Sequence, residues 1–346
     1  MDPLISSHFI IPFIISIFLA INMGGSGTGP SFSVAYGANI LKKTAIPSLF
    51  GLMVFLGAVI AGKATTATMG RGLVNPELMN FAQVSIILFS VSIALLVANL
   101  FGIPQSTSQA TVLALSAPGV YFQELNTHKL FFEVIPTWFI LPLVAFVISF
   151  LIGKYIYTPL RRKGYTISKR VNNHYMLRGA IVFASLYVAF SIGANNVANA
   201  SGPLTSMTIN ELNINTSSER LLTLIMIMST MIVAPSFGIG SSVFGEKILK
   251  NTGKELFLFG RIEAVIIAVV SASLLLAASL FRGIPTSLVQ LNVGAILGIG
   301  VARLGPKNIF KKTAVHKFFL MWIIAPIIAF LLSWFLTFLA DSYGYL

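Results

Sequence analysis

The sequence predicts an all-α, polytopic membrane protein built from two inverted-topology repeats, with broken helices and re-entrant or half-helix segments. Three observations carry this. Of 346 residues, 56% are hydrophobic and only 10% charged, against about 25% charged in a soluble domain, and the mean hydropathy is +0.87. The apolar stretches have membrane-crossing length. The same small-residue motifs also occur in both halves in the same order.

In the first half the apolar segments run over 5–23, continuing through a glycine-rich run to 38, then 46–61, 82–101, 103–120 and 131–153. A basic connector, 154–178, follows with Lys154, Arg161, Arg162, Lys163, Lys169, Arg170 and Arg178. The second set covers 179–206, 221–244, 263–281, 284–301 and 318–340. Most approach the roughly 20 residues a spanning helix needs; 46–61 and 103–120 are short enough to be half-helices or re-entrant. The organisation is therefore a first repeat over 1–153, the connector, and a second repeat over 179–346. The start of the chain does not read as a cleavable signal peptide, because Asp2 is acidic and the first basic residue is Lys42.

Three matched features define the repeat. The run Gly24-Gly25-Ser26-Gly27-Thr28-Gly29-Pro30 corresponds to Gly193-Ala194-Asn195-Asn196-Val197-Ala198-Asn199, offset by 169. Gly102-Ile103-Pro104-Gln105-Ser106-Thr107-Ser108-Gln109 corresponds to Gly283-Ile284-Pro285-Thr286-Ser287-Leu288-Val289-Gln290, offset by 181. Trp138, Pro142, Ala145, Phe146 and Ser149 correspond to Trp322, Pro326, Ala329, Phe330 and Ser333, offset by 184. Five segments per half, an odd number, require the second half to enter the membrane inverted.

Loop charge agrees. Lys42 and Lys43 make one loop basic, whereas its counterpart 211–219 holds two glutamates and no Lys or Arg. The loop 121–129 carries one charge of each sign, whereas 302–317 carries Arg303, Lys307, Lys311, Lys312 and Lys317. Lys247, Lys250 and Lys254 fall on the side of the connector. Basic loops face the cytoplasm, which places both termini outside a cell membrane. The net charge of +13 is thus a topology signal and not a nucleic-acid footprint.

Irregular backbone at membrane depth is tolerated where it lines a cavity, and a matched pair of interrupted segments points to a transporter's binding site. Gly-Ile-Pro followed by hydroxyls reads as a helix start, with Pro in the first turn and Ser as cap. Such a start offers unpaired N–H groups and positive potential to an anion without burying a cation. Ser106, Thr107, Ser108 and Ser287, closed in by Ser26, Gly27, Asn195, Asn196 and Asn199, form the candidate substrate site. Three amides in five residues are costly in a membrane unless used. The competing reading of the glycine run is close helix packing, and Trp138 and Trp322 read as structural.

Other chemistries are thin. Cysteine is absent, and His8, His128, His174 and His316 lie at span ends or loops without metal-ligand spacing. No cofactor, metal or catalytic residue is expected, and a lipid-phosphate enzyme would need a nucleophile or metal constellation that the spans lack. Of the ten acidic residues only Glu133 and Glu263 fall in the first turns of spans; Glu263, two residues after Arg261, suits an interfacial ion pair, with a proton relay as the alternative.

These motifs resemble those of the inorganic phosphate transporter (PiT) family over nearly the whole chain. That family carries Gly-Ala-Asn-Asp at both broken helices and Ser-Thr-Thr-His after the proline. The aspartate positions here are Asn196 and Gly27, and the histidine positions, which the resemblance marks for coupling, are Gln109 and Gln290. The combination is similar to the family's sulfate permease (CysP-type) branch.

Chemistry separately favours sulfate. Phosphate keeps a proton that a carboxylate can accept, whereas sulfate only accepts and would meet a buried carboxylate as a desolvated like charge. Losing both carboxylates also removes hard ligands for sodium. The expectation is a secondary transporter importing sulfate, with protons the simplest coupling ion. Its alternative is a sodium- or proton-coupled phosphate carrier of the same fold. Thiosulfate, selenate, chromate and molybdate, and a homodimeric assembly, stay open.

Overall fold

A computed structural model describes residues 3–101, 105–159, 174–214, 218–255, 260–311 and 313–346. Most of the connector, and Gly102, Ile103 and Pro104 of the first helix-start motif, lie outside the described residues.

The described chain is helical, with a lone bridge between Val74 and Leu125 as its only β pairing. Helix α1 (Pro3–Gly37) is followed by α2 (Ile46–Ala61), which bends by 74° at Gly62 into α3 (Lys63–Ala67) and a π turn, Thr68–Gly72. Next come α4 (Phe81–Phe101), α5 (Thr107–Tyr121) and α6 (Ile135–Ile152), the last flanked by π turns Lys129–Val134 and Gly153–Tyr157. The second half holds α7 (Tyr175–Asn196), α8 (Ala198–Glu211), α9 (Glu219–Val233), α10 (Ser236–Glu255) and α11 (Arg261–Ala277) with its π turn Ala278–Arg282. It ends with α12 (Leu288–Leu304), α13 (Pro306–Phe310) and α14 (Thr313–Ser342).

Among the described residues seven helices are long and apolar enough to cross a membrane, or eight if the bent pair of α2 with its continuation counts as one span. The chain is a multi-pass membrane protein. Its outer surface fits that solvent: Phe132, Phe139 and Leu143 beside or on α6, and Leu331 and Phe335 on α14, are exposed. A patch of this size facing water would be a liability; in lipid it is the normal exterior.

Packing pairs each half with the other. Helix α1 lies against α10 and α2 against α7, while α5 lies against α14 and α12 against α6. The close approaches have matched positions. A Cβ on Gly24 would sit 2.2 Å from the Phe237 carbonyl oxygen, and one on Gly193 2.0 Å from that of Val54. Likewise a Cβ on Gly57 would lie 1.9 Å from the Phe190 carbonyl oxygen, and one on Gly240 1.9 Å from that of Ile21. Adding 169 to Gly24 and Ile21 gives Gly193 and Phe190; adding 183 to Val54 and Gly57 gives Phe237 and Gly240. These glycines cost about 1 kcal/mol each in helix propensity. They repay it by letting backbones touch where lipid offers no hydrophobic drive.

Two ion pairs mark direction. Lys43, just before α2, meets Glu246 of α10 at 3.4 Å, and Lys63, just after α2, meets Glu219 at the start of α9 at 3.2 Å. Exposed pairs of this kind add about 0–1 kcal/mol, but as rulers they show α9–α10 running antiparallel to α2.

The glycine-rich run behaves differently from an unwound segment: α1 stays helical across Gly24–Pro30. The hydroxyls of Ser26, Thr28 and Ser31 bond back to the carbonyls of Met23, Gly24 and Gly27 at 2.8–3.0 Å. Each polar group is therefore satisfied inside the helix. In the second half the interruption is one turn at Val197, with φ −60° and ψ −32°. Helix α10 also continues beyond the expected end at 244, to Glu255.

Candidate anion site

The two helix starts are built alike. Ser106, with extended φ −85° and ψ 101°, caps α5 by accepting the Gln109 N–H at 3.3 Å. Ser287, at φ −105° and ψ 112°, caps α12 by accepting the Gln290 N–H at 3.4 Å. Each Oγ that accepts a backbone N–H keeps its own proton to donate. The approach to α12 turns at Gly283, whose φ of +59° suits glycine and where a Cβ would lie 2.6 Å from the Ala64 carbonyl oxygen. Trp138 fixes the next step by donating from Nε1 to the Pro285 carbonyl at 3.0 Å, which is structural work.

Beyond the caps, the side chains of Gln109 and Gln290 pair reciprocally: Gln109 Nε2 donates to Gln290 Oε1 at 3.3 Å, and Gln290 Nε2 to Gln109 Oε1 at 3.0 Å. A charge-neutral clasp thus joins the first turns of α5 and α12.

The amides at the α7–α8 junction close on the same place. Asn195 Nδ2 donates to Ser279 Oγ at 2.8 Å and to the Ile284 carbonyl at 3.0 Å. Its Oδ1 accepts from the Thr286 N–H at 3.0 Å and from the Ser108 hydroxyl at 3.4 Å. Asn196 Nδ2 donates to Thr107 Oγ1 at 3.1 Å, and Asn199 Nδ2 to Ser108 Oγ at 3.3 Å. All are buried. The Oδ1 atoms of Asn196 and Asn199 have no hydrogen-bond partner among the described residues.

Side-chain bonds between helices therefore connect Thr107, Ser108, Gln109, Asn195, Asn196, Asn199 and Gln290, while Ser106 and Ser287 join this group only as the caps of α5 and α12. Ser26 and Gly27 stand apart from these bonds. The Ser26 hydroxyl donates to the Met23 carbonyl, and a Cβ on Gly27 would lie 3.0 Å from the Phe50 ring and 3.3 Å from Ile192. Their nearest link is Met23, whose sulfur accepts from Asn199 Nδ2 at 3.8 Å.

No Lys, Arg, Asp or Glu takes part in these bonds, and among the described residues no His, Cys, Asp or Glu group could hold a metal ion. Positive potential comes from the first turns of α5 and α12, whose leading N–H groups have no partner within the helix. What such an array can do is bind an oxyanion through neutral donors.

Glu263 lies elsewhere. It is buried in the first turn of α11 and pairs with Arg303 at 3.4 Å, not with its sequence neighbour Arg261, which donates to the Ala38 carbonyl. Glu133 pairs with Lys129 one turn away at 3.7 Å. His174 caps α7 by accepting the Met176 N–H. Sequence reasoning missed Ser279 and Thr286. Thr286 sat inside a motif already recognised, whereas Ser279 is one hydroxyl in an apolar span with nothing to single it out.

Three comparisons bear on this arrangement. Sulfate permease CysP of Bacillus subtilis (strain 168) is 31% identical over 334 residues, covering 95% of this chain and 88% of its own. A Pyrococcus abyssi (strain GE5 / Orsay) protein named provisionally as a phosphate permease is 23% identical over 404 residues, covering 96% of this chain and 97% of its own. A solved structure described as the sodium-dependent phosphate transporter superposes with a TM-score of 0.82 at 20% identity, over 97% of this chain and 99% of that one. The phosphate transporter family, PHO4, matches residues 23–333. With its helices, its paired starts and that match along most of its length, the chain belongs to the phosphate transporter family of membrane transporters.

Proposed function

We propose that this protein imports sulfate across the cell membrane as a secondary transporter, coupled to protons. One observation carries the reading: two capped helix starts are clasped together beside a buried cluster of hydroxyls and amides that includes no carboxylate. Sulfate at neutral pH has no proton to give and needs donors only. Ser106 and Ser287 hydroxyls, the leading N–H groups of α5 and α12, and the amide of Asn196 can supply them. The name of the Bacillus relative supports the same substrate.

In this reading the halves, 1–153 and 179–346, are inverted repeats about the connector, with both termini outside. The antiparallel course of α2 and α9–α10, which occupy matching places in the two halves, supports the inversion. Alternating access would then rock one half against the other around the fixed site. Carrying a dianion inward against the membrane potential costs about 2.3 kcal/mol per charge per 100 mV, so uphill import requires cations.

A second reading, phosphate import coupled to sodium or protons, is favoured by the family's description and by the names of the archaeal relative and the solved structure. Proteoliposomes loaded for inward proton or sodium gradients decide between them. Saturable uptake of labelled sulfate that phosphate fails to compete supports the first reading. Phosphate uptake of equal or greater efficiency at neutral pH overturns it.

A further inference from the structure

Two side chains, of Ser279 and Ser108, and two backbone groups, of Ile284 and Thr286, meet at Asn195. A neutral asparagine has two N–H donors and one carbonyl oxygen with two lone pairs. Asn195 spends both donors, on Ser279 Oγ at 2.8 Å and the Ile284 carbonyl at 3.0 Å. It spends its oxygen on the Thr286 N–H at 3.0 Å and the Ser108 hydroxyl at 3.4 Å. Nothing is left to offer an anion. Asn196, the next residue, donates among the described residues only to Thr107 Oγ1 and so keeps one N–H that an anion can accept.

Orientation of the amide is set by Ser279. Its hydroxyl donates to the Leu275 carbonyl at 3.0 Å within its own helix, so its oxygen faces Asn195 as an acceptor. An acceptor there fixes which end of the Asn195 amide is nitrogen, and hence that the oxygen meets Thr286. Ser279 stands in the π turn that ends α11, and π turns of this kind recur where a helix must re-aim a side chain for function. The residue matching Asn195 in the first half, Ser26, bonds only within its own helix.

We propose that Asn195 and Ser279 are positioning residues: together they pin the Ile284–Thr286 segment to the end of α7 and so hold the start of α12, capped by Ser287, in place for the anion. This rests on the anion-transport reading above for its consequence, but not for its geometry.

The test uses the full chain, purified and reconstituted, with Asn195→Ala, Ser279→Ala, their double variant, and Ser279→Thr as the conservative replacement. Sulfate KM should rise about two- to twelvefold in Ser279→Ala, which removes one neutral hydrogen bond from Asn195, and at least as much in Asn195→Ala, which removes all four. The double variant should rise no further than Asn195→Ala, and Ser279→Thr should stay within about twofold of the parent. The ratio of sulfate to selenate uptake should not move. Additive effects, a much larger loss for Asn195→Ala with altered selectivity, or an unchanged KM with only lowered stability would each overturn the proposal.

If the parent protein carries no sulfate, the functional reading fails by itself. The strut is then judged by thermal unfolding of the same four variants in detergent: non-additive losses support it and additive ones sink it. Should Ser279→Ala fail to fold, Ser279→Cys keeps the volume, weakens the acceptor and carries the same comparison.

Discussion

Glu263 in the first turn of α11 and Arg303 in the last turn of α12 meet at 3.4 Å, with the glutamate side chain 8% exposed. Each also sits at the helix end whose dipole favours its charge. Removing the cation would leave a desolvated carboxylate, so Arg303→Ala should destabilise by about 3 kcal/mol, at the lower end for broken buried pairs. Adding Glu263→Gln should recover part of that loss. Thermal unfolding across the three variants measures it, and an Arg303→Ala protein as stable as the parent would contradict the burial. Glu263→Gln alone should keep proton-driven uptake if the carboxylate serves only its pair with Arg303; loss of that uptake would assign it to a proton relay.

Asn196 donates to Thr107 within the cluster. Asn196→Asp replaces a donor with a buried negative charge facing a dianion, a loss of several kcal/mol where about 1.4 kcal/mol is a factor of ten. Sulfate uptake should fall by at least about tenfold, while phosphate, whose P–OH can donate a hydrogen bond to the new carboxylate, becomes a substrate. Unchanged sulfate affinity in this variant would move the anion elsewhere.

Ser106 and Ser287 are matched caps, so their alanine variants should behave alike. Each loses one cap bond, costing about 1 kcal/mol of helix stability, and one donor to the anion, weakening binding by about 0.5–1.5 kcal/mol. Competitive sulfate titrations on both variants check this. A strong effect in one and none in the other would break the symmetry of the site.

Close backbone approach makes four glycines sensitive in pairs. Gly193→Ala and Gly240→Ala each drive a Cβ to 2.0 and 1.9 Å from a backbone oxygen that cannot swing aside. Both should yield little folded protein, whereas Gly37→Ala and Gly179→Ala, with nothing within 4 Å, should be neutral or slightly stabilising. Detergent size-exclusion profiles of the four variants separate the cases.

Much of this was legible in sequence because a repeat reports itself twice. The offset of 181 between Ser106 and Ser287 carried over directly into two equivalent caps and into the Gln109–Gln290 pair. What composition could not convey was whether small residues unwind a helix or tighten its packing, since Gly24–Pro30 suits both; the back-bonds of Ser26, Thr28 and Ser31 resolve it toward packing. Pairing across distance was equally hidden. Glu263 had a cation two residues away in Arg261, yet its partner is forty residues on, brought near because the first turn of α11 lies beside the last turn of α12. Ser279 was invisible for the same reason.

The clasp between Gln109 and Gln290 has a consequence that belongs to geometry alone. Exchange the halves, and Gly24 against Phe237 becomes Gly193 against Val54, one contact turned into another. The glutamine pair turns into itself. A motion that trades the shapes of the two halves can lengthen one member of every other couple while shortening its twin, but it leaves this pair as it was. Under the proposed rocking of the two halves it would be the fixed point between them, and, being made of amides, it carries no charge to change as they move.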